Sequence, residues 1–350
     1  MERILEKTEE QLYREFLEEW NNSDSEVMVQ TSGSTGTPKQ IRLKKSYMRR
    51  SARRTIDFFG LNTDSVILSC MSFKYIGGKM MIVRGLETGC TVLKETPSLE
   101  PLKTITTPLS LVALVPVQME YVLDHLSELP SVKHFLIGGS AVNDNLRKKI
   151  IESGISAWES YAMTETASHI AIRKVEYDET GKAKPFYPLE GVHLKSDEHN
   201  RLIIKDGDEE TLLTNDIVKF TPDGGFYVKG RFDDMIITGG KKILPQTVED
   251  CLRLQFPELK DFAVLGLPDD KWGERIVLAI VTEEKDKCAA VQRLENIKRQ
   301  INCIPENEFP RWMHPKEILS VPFIPLNENG KLSRHALKSL LRQEAAKKID

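Results

Sequence analysis

The chain has 350 residues, 40% of them hydrophobic and 29% charged, and a formal net charge of −3. That length permits two domains or one large one, and the near-balance of charge gives no sign of a polyanion-binding protein. No run approaches the roughly 18 apolar residues that span a bilayer, and the charged start Met1-Glu2-Arg3-Ile4 does not read as a signal peptide.

Cys70, Cys90, Cys251, Cys288 and Cys303 form no C-x-x-C pair. They read as reduced thiols of a cytoplasmic protein. The histidines show no H-x-x-x-H spacing, so no histidine-built metal site is expected. In chain order, Ile4, Leu5, Leu12, Phe16, Leu17 and Trp20 fit one or two amphipathic helices. A polar break at residues 21–25 follows, and Val27-Met28-Val29-Gln30 reads as a strand.

That strand feeds Thr31-Ser32-Gly33-Ser34-Thr35-Gly36-Thr37-Pro38-Lys39. Glycines let backbone N–H groups approach a ligand closely. Hydroxyls add donors, successive amides make a concave anion site, and the lysine supplies a point charge. The spacing is not that of a Walker A loop.

Ile41-Arg42-Leu43 alternates like a short strand, and Ser46 is placed to cap a helix with Met48, Ala52, Ile56 and Phe59 on its apolar side. Arg49, Arg50, Arg53 and Arg54 fall on the other side, as a solvated basic face. Val66–Cys70 reads as a buried strand, and Gly77-Gly78 after Tyr75 suits a helix start that walls a pocket. Residues 90–93, 110–114 and 134–137 are strand-like with helical patterns between them, which argues for an α/β sheet with covering helices. Gly138-Gly139-Ser140-Ala141 ends its strand with backbone able to approach a flat ligand, or simply as a turn.

Residues 186–230 are strand-rich and turn-punctuated, like a small β subdomain, and the charged stretch 193–200 within them reads as a solvated turn. Strands at 262–266 and 276–281 and helices near 246–256 and 289–302 suggest a compact α+β end. Asn329-Gly330 turns Lys331 out ahead of a terminal helix capped by Ser333.

The nonamer at 31–39 resembles the phosphate-binding signature of the adenylate-forming superfamily: acyl-CoA synthetases, peptide-synthetase adenylation domains and luciferases. Further motifs follow in that family's order down to Lys331. The resemblance implies that Thr31, Ser32, Gly33, Ser34, Thr35, Gly36, Thr37 and Lys39 hold the phosphates of ATP. Gly138, Gly139 and Ser140 become the adenine-side loop. Ser160–Thr166 resembles a second signature, in which Tyr161 stacks on adenine, Ala162 and Met163 line the nucleotide, Thr164 meets the α-phosphate and Glu165 binds Mg²⁺.

Asp216, in Leu212-Leu213-Thr214-Asn215-Asp216, becomes the acceptor for both ribose hydroxyls, with Asn215 replacing the customary glycine. Arg231 reaches the ribose or α-phosphate, Asp233 is the hinge, and Gly239-Gly240 is where the pantetheine arm of coenzyme A passes. Lys331 is the catalytic lysine.

The implied fold is α/β and α+β. Residues 1–232 form an AMP-binding domain that lacks most of the usual leading subdomain, and residues 233–350 form a small mobile domain. The family's acyl site falls on Tyr75 and Gly78. Arg84 is either a partner for a second substrate carboxylate or a surface arginine, in an arrangement that resembles the o-succinylbenzoate–CoA ligases. The resemblance implies an ATP-, Mg²⁺- and CoA-dependent carboxylic acid–CoA ligase with no nucleic-acid or membrane partner. A homodimer partner is one source of cover for the acyl pocket. The alternatives are another aryl- or acyl-CoA ligase, or a non-catalytic nucleotide-binding descendant. The mark of the latter would be loss of Lys331, Glu165 or Asp216, all of which are present.

Overall fold

The computed structural model describes residues 7–30, 39–259, 261–282, 287–326 and 332–347. The chain divides into two compact units: Met1–His193 with Lys205–Glu210 and Thr221–Phe226, and Leu194–Ile204 with Thr211–Phe220 and Tyr227–Asp350. Among the described residues no helix is long and apolar enough to cross a membrane.

The first unit opens with α1 (Glu9–Asn21), which starts at a capping box: Thr8 Oγ1 accepts the Gln11 N–H, and the Gln11 side chain accepts the Thr8 N–H. Phe16 and Trp20, four residues apart, are its buried stripe. They pack with Val27 and Val29 of β1 (Glu26–Gln30) and Leu43 of β2 (Gln40–Lys44), an antiparallel pair. Next comes α2 (Lys45–Phe59), and it begins one residue before the expected Ser46. Its N-cap position is Lys44, which makes no side-chain cap.

A seven-stranded sheet forms the centre of this unit, in the order β4-β3-β5-β6-β7-β8-β9. Its strands are β3 (Val66–Ser69), β4 (Thr91–Lys94), β5 (Leu109–Leu114), β6 (Val132–Ile137), β7 (Ala157–Ala162), β8 (His169–Lys174) and β9 (Tyr187–Pro188). The first five run parallel, and β8 and β9 continue the sheet antiparallel. Parallel strands covered on both faces are apolar at successive residues, as Ile67-Leu68 and Leu111-Val112 illustrate. Leu68, Val112 and Ile137 face Met119 of α4 (Pro116–Asp124) and Leu146 and Ile150 of α5 (Asp144–Ser153). Ile67, Leu111 and Leu136 face Phe59 of α2 and Met81 of α3 (Ile76–Thr88).

Arg49 and Arg53 of α2 are exposed as a solvated face would have them, whereas Arg50 and Arg54 are drawn into ion pairs. Arg54 makes a bidentate pair with Asp206, with Nη1 2.7 Å from Oδ2; the Asp206 side chain is buried and that of Arg54 nearly so. Arg50 reaches Asp206 and Glu209, while Arg49 and Arg53 share Glu87. The row is thus largely neutralised by acids from distant parts of the chain, and only Arg49 and Arg53 of it remain exposed to solvent. Cover at the start of α3 comes from within the same unit. Glu9 of α1 accepts hydrogen bonds from Ser72 Oγ and, at 2.8 Å, from the Phe73 amide, and Tyr13 packs on Phe73.

Strands β10 (Val192–Ser196), β11 (Arg201–Asp206), β12 (Leu212–Phe220) and β13 (Phe226–Arg231) form a four-stranded sheet in sequence order. The remainder is built on β14 (Ile236–Thr238), β15 (Lys241–Ile243), α6 (Pro245–Gln255), β16 (Phe262–Asp269), β17 (Gly273–Val281), α7 (Lys287–Cys303), β18 (Glu317–Val321) and α8 (Arg334–Lys347). One face of β16 and β17, through Val264, Leu278 and Ile280, packs on α6 and α7. The other, through Leu265, Val277 and Ala279, packs on Leu337 and Leu341 of α8. Ser333 caps α8 by accepting the Ala336 amide.

Two substitutions test this packing by thermal unfolding. Asp206→Ala leaves Arg54 buried without its carboxylate and lowers stability by about 3 kcal/mol. Arg42→Ala, which removes an exposed pair to Glu26 at 3.9 Å, changes it by less than about 0.5 kcal/mol. At Gly78 an added Cβ would lie 2.5 Å from the Ser72 carbonyl oxygen and 2.8 Å from that of Met71. Gly78→Ala therefore costs about 2 kcal/mol, because backbone and not a pliable side chain must give way.

Candidate active site

Parallel α/β sheets bind ligands beyond the carboxyl ends of their strands. The expected site residues of the first unit follow those ends. After β6 come Gly138, Gly139 and Ser140, and after β5 comes Val115. The end of β7 carries Tyr161 and Ala162, followed by Met163 and a short helical turn over Thr164–Thr166.

Two of these positions are crowded or strained for a side chain. A Cβ on Gly138 would meet Ser160 Oγ at 2.8 Å, and Gly139 has φ +83° with Val115 Cγ1 3.1 Å from its Cβ position. The loop therefore offers bare backbone at the sheet edge. Val115 is the N-cap position of α4, and Pro116 and Gln118 lie in the first turn of that helix. Gln118 Nε2 donates to the carbonyls of Cys70 and Ser98.

Tyr161 is buried edge-on to Phe226, with ring centroids 5.4 Å apart. The turn after it is held by Thr166, whose Oγ1 donates to the Ser168 carbonyl at 2.7 Å and accepts the Met163 amide. Ala167 takes φ +60° there, a conformation that a side chain resists and that surrounding structure must enforce. Thr164 is half-buried and Glu165 is exposed. Among the described residues Glu165 has no ion-pair partner, so its carboxylate is open to a hard cation such as Mg²⁺.

On α3, Tyr75 is the half-buried N-cap position and Gly78 is consumed by packing against Met71 and Ser72. Arg84 is not a surface arginine: it is 2% exposed. Its Nη2 donates to Ser168 Oγ at 2.7 Å and its Nη1 approaches Met81 Sδ at 3.2 Å. Its Nε has no hydrogen-bond partner. No carboxylate pairs with it among the described residues, and burial pulls its guanidinium down to about 10.

In the second unit, Asp216 lies on β12, where its amide donates to Thr214 Oγ1 at 3.1 Å. Arg231, at the end of β13, bonds both oxygens of Asp233 at 2.9 Å and stands 3.5 Å from Asp216 Oδ1. The Asp233 hydrogen bonds are the largest influence holding the Arg231 guanidinium in its charged form. Gly239 and Gly240, with φ +54° and +77°, make the two-residue turn between β14 and β15. Such a hairpin turn needs positive φ at both positions, which is why glycine stands at each. A Cβ on Gly239 would also strike the Trp272 ring at 2.9 Å.

Thr31, Ser32, Gly33, Ser34, Thr35, Gly36, Thr37 and Lys331 lie outside the described residues. Lys39 is exposed just before β2. On either side of the lysine segment, Leu326 pairs with Leu332, and the Ser333 amide donates to the Pro325 carbonyl at 2.9 Å. Arg334 then anchors α8 through Val264 O, Asp234 and Glu249.

Sequence reasoning missed Glu159. Its buried carboxylate accepts the Val142 amide at 3.1 Å, Arg147 Nη2 at 3.0 Å and Arg173 Nε at 2.8 Å, fastening the 138–142 loop to β7. A signal existed. Period-two alternation puts Glu159 on the same face of β7 as Ala157 and Tyr161, where an unpaired charge is too costly to bury.

A family profile described as AMP-binding enzyme matches residues 2–209, and one described as AMP-binding enzyme C-terminal domain matches residues 248–331. The 2-succinylbenzoate–CoA ligases of Bacillus cytotoxicus and Bacillus cereus are each 26% identical to the chain, over 93% of it and 72% of their own length. An AMP-forming acyl-CoA synthetase/AMP-acid ligase II-like protein from Dyadobacter fermentans superposes with a TM-score of 0.61 at 25% identity, covering 98% of this chain and 96% of that one. The O-succinylbenzoate coenzyme A synthetase of Bacillus subtilis, solved with ATP and magnesium ion, gives 0.72 at 22% identity over 89% of this chain and 69% of its own. With the first profile spanning more than half its length, the chain belongs to the AMP-binding enzyme family.

Proposed function

We propose that this AMP-forming acid–CoA ligase activates o-succinylbenzoate, an aromatic acid with a second carboxylate, and passes it to coenzyme A. The observation that supports the substrate is Arg84, a buried cation that pairs with no carboxylate among the described residues. Leaving such a charge unpaired is expensive, and a planar fork of donors suits an incoming carboxylate. The naming of the Bacillus relatives points to the same acid.

In the first step a carboxylate oxygen of the acid attacks the α-phosphorus of ATP, and pyrophosphate leaves. An anion approaching a polyanion needs fixed positive charge and dipoles aimed at the reacting oxygens. The amides and hydroxyls of residues 31–37 and Lys39 hold the phosphates. Gly138, Gly139, Ser140, Tyr161, Ala162 and Met163 take the adenine, Asp216 takes the ribose and Thr164 the α-phosphate. Mg²⁺, held by Glu165, supplies charge neutralisation on the phosphates. Arg231, released from Asp233, reaches the ribose or α-phosphate, and Lys331 bridges the carboxylate and α-phosphate oxygens.

In the second step the thiol of coenzyme A, deprotonated as it reacts, attacks the acyl carbon and AMP departs. Lys331 then has no task, and residues 233–350 turn about Asp233 relative to residues 1–232 to bring the Gly239-Gly240 hairpin to the thiol's path. A homodimer, if formed, is not needed to cover the start of α3, which α1 already covers.

Purified protein with ATP, Mg²⁺, coenzyme A and o-succinylbenzoate should release one AMP per acid consumed. AMP release with other acids but not this one would keep the ligase and end the substrate assignment. Lys331→Ala should slow adenylation by about 10²–10³-fold. Transfer of a supplied acyl-adenylate to coenzyme A should persist, and equal loss of both steps would refute the division of labour.

A further inference from the structure

Behind Arg84 lies a line of buried polar groups that the mechanism above does not use. Ser168 Oγ stands 3.2 Å from His169 Nδ1, His169 Nε2 stands 3.2 Å from Thr55 Oγ1, and Thr55 Oγ1 stands 3.4 Å from the Ser51 carbonyl oxygen. Thr55, Ser168 and His169 are all buried. The positions of the hydrogens follow from the inventory of donors and acceptors. Arginine only donates, so Ser168 Oγ accepts from Arg84. The single Ser168 proton then goes to His169 Nδ1, which puts the imidazole proton on Nε2. That N–H donates to Thr55 Oγ1, and the Thr55 hydroxyl donates to the Ser51 carbonyl.

We propose that Thr55, His169 and Ser168 form a hydrogen-bond chain of one fixed direction that positions Arg84 for the second carboxylate of the acyl substrate. Ser168 and His169 are thus positioning residues for acid selectivity. This rests on the reading of Arg84 as a carboxylate partner.

The direction is enforced by charge as well as geometry. A proton on Nδ1 would deprive the Ser168 hydroxyl of its acceptor. A second proton on the ring, on Nδ1 as well as Nε2, would set a third cation beside Arg84 and Arg54, the charged groups that face the ring. Burial and both arginines push His169 well below its ordinary range, consistent with the neutral Nε2–H form. With one Nη2 hydrogen committed to Ser168, the guanidinium plane has a fixed orientation. Its Nε hydrogen has no acceptor among the described residues. A buried donor in that state costs free energy until an acceptor arrives.

The test compares o-succinylbenzoate with 3-benzoylpropanoate, the same acid without the ring carboxylate. The wild-type enzyme should prefer the dicarboxylate. Ser168→Ala should raise KM for o-succinylbenzoate by about tenfold, the worth of a hydrogen bond to a charged group. It should reduce the preference over 3-benzoylpropanoate by the same factor, with the loss in KM and not in kcat. Ser168→Thr, which keeps the hydroxyl, should restore both.

If Ser168→Ala leaves KM within about twofold while Arg84→Ala raises it, the chain does not position Arg84, though the carboxylate reading stands. If Arg84→Ala also has no effect, or the wild-type enzyme uses neither acid, the substrate reading falls. The chain is then judged by nitrogen NMR of His169 in the wild-type protein. A neutral Nε2–H tautomer between about pH 5 and 8 supports it, and an Nδ1–H tautomer or titration within that range overturns it.

Discussion

Five parallel strands, β3 to β7, place their carboxyl ends along one edge, and that alignment is the constraint from which the rest of the first unit follows. Because the inner strands of this set are covered on both faces, chemistry falls to the strand ends and their loops. The Gly138-Gly139 loop shows how narrow the allowance is. Ser160 Oγ closes one side and Val115 the other, so the backbone stands bare where a flat ligand would lie. Glu159 fastens that loop to the next strand through Val142 and two arginines. The 138–142 loop and the strand bearing Tyr161 are thus one mechanical piece.

The second unit works differently. Its expected site residues are held by one another. Arg231 is clamped by Asp233 and stands near Asp216, so the side chain proposed to meet nucleotide is already occupied by the proposed hinge. In the proposed roles, the Arg231–Asp233 ion pair would have to break before Arg231 met nucleotide, which would couple hinge and binding. The exchange costs little because Asp233 and Arg231 are both partly solvated.

Much of this was legible in the chain. Two-residue periodicity and runs of Val, Ile and Leu located β1, β3, β5, β6, β16 and β17, and helical spacing located α1, α2, α6 and α7. Short motifs led to the strand ends because glycine, serine and threonine at such points have few structural excuses. Charge pairing was not legible. Arg49, Arg50, Arg53 and Arg54 have helical spacing, which reveals that they share a face but not that Asp206 and Glu209 wait some 150 positions away. For the same reason Arg84 stood equally for surface and substrate until its burial was seen. His169 attracted no notice, since a lone histidine at a strand start carries no local pattern. Its meaning lies in Thr55 and Arg84, which are far away in sequence.

The bond from Glu9 to the Phe73 amide has one more implication. Helix α1 presents exposed glutamates and Arg14 and rests on the unit through Phe16 and Trp20, so it is expected to open more readily than the central sheet. Each opening would unlatch the peptide just ahead of Tyr75, the residue that begins the arginine-bearing helix. The exchange rate of that single amide hydrogen is therefore a clock for how often the approach to α3 is unguarded.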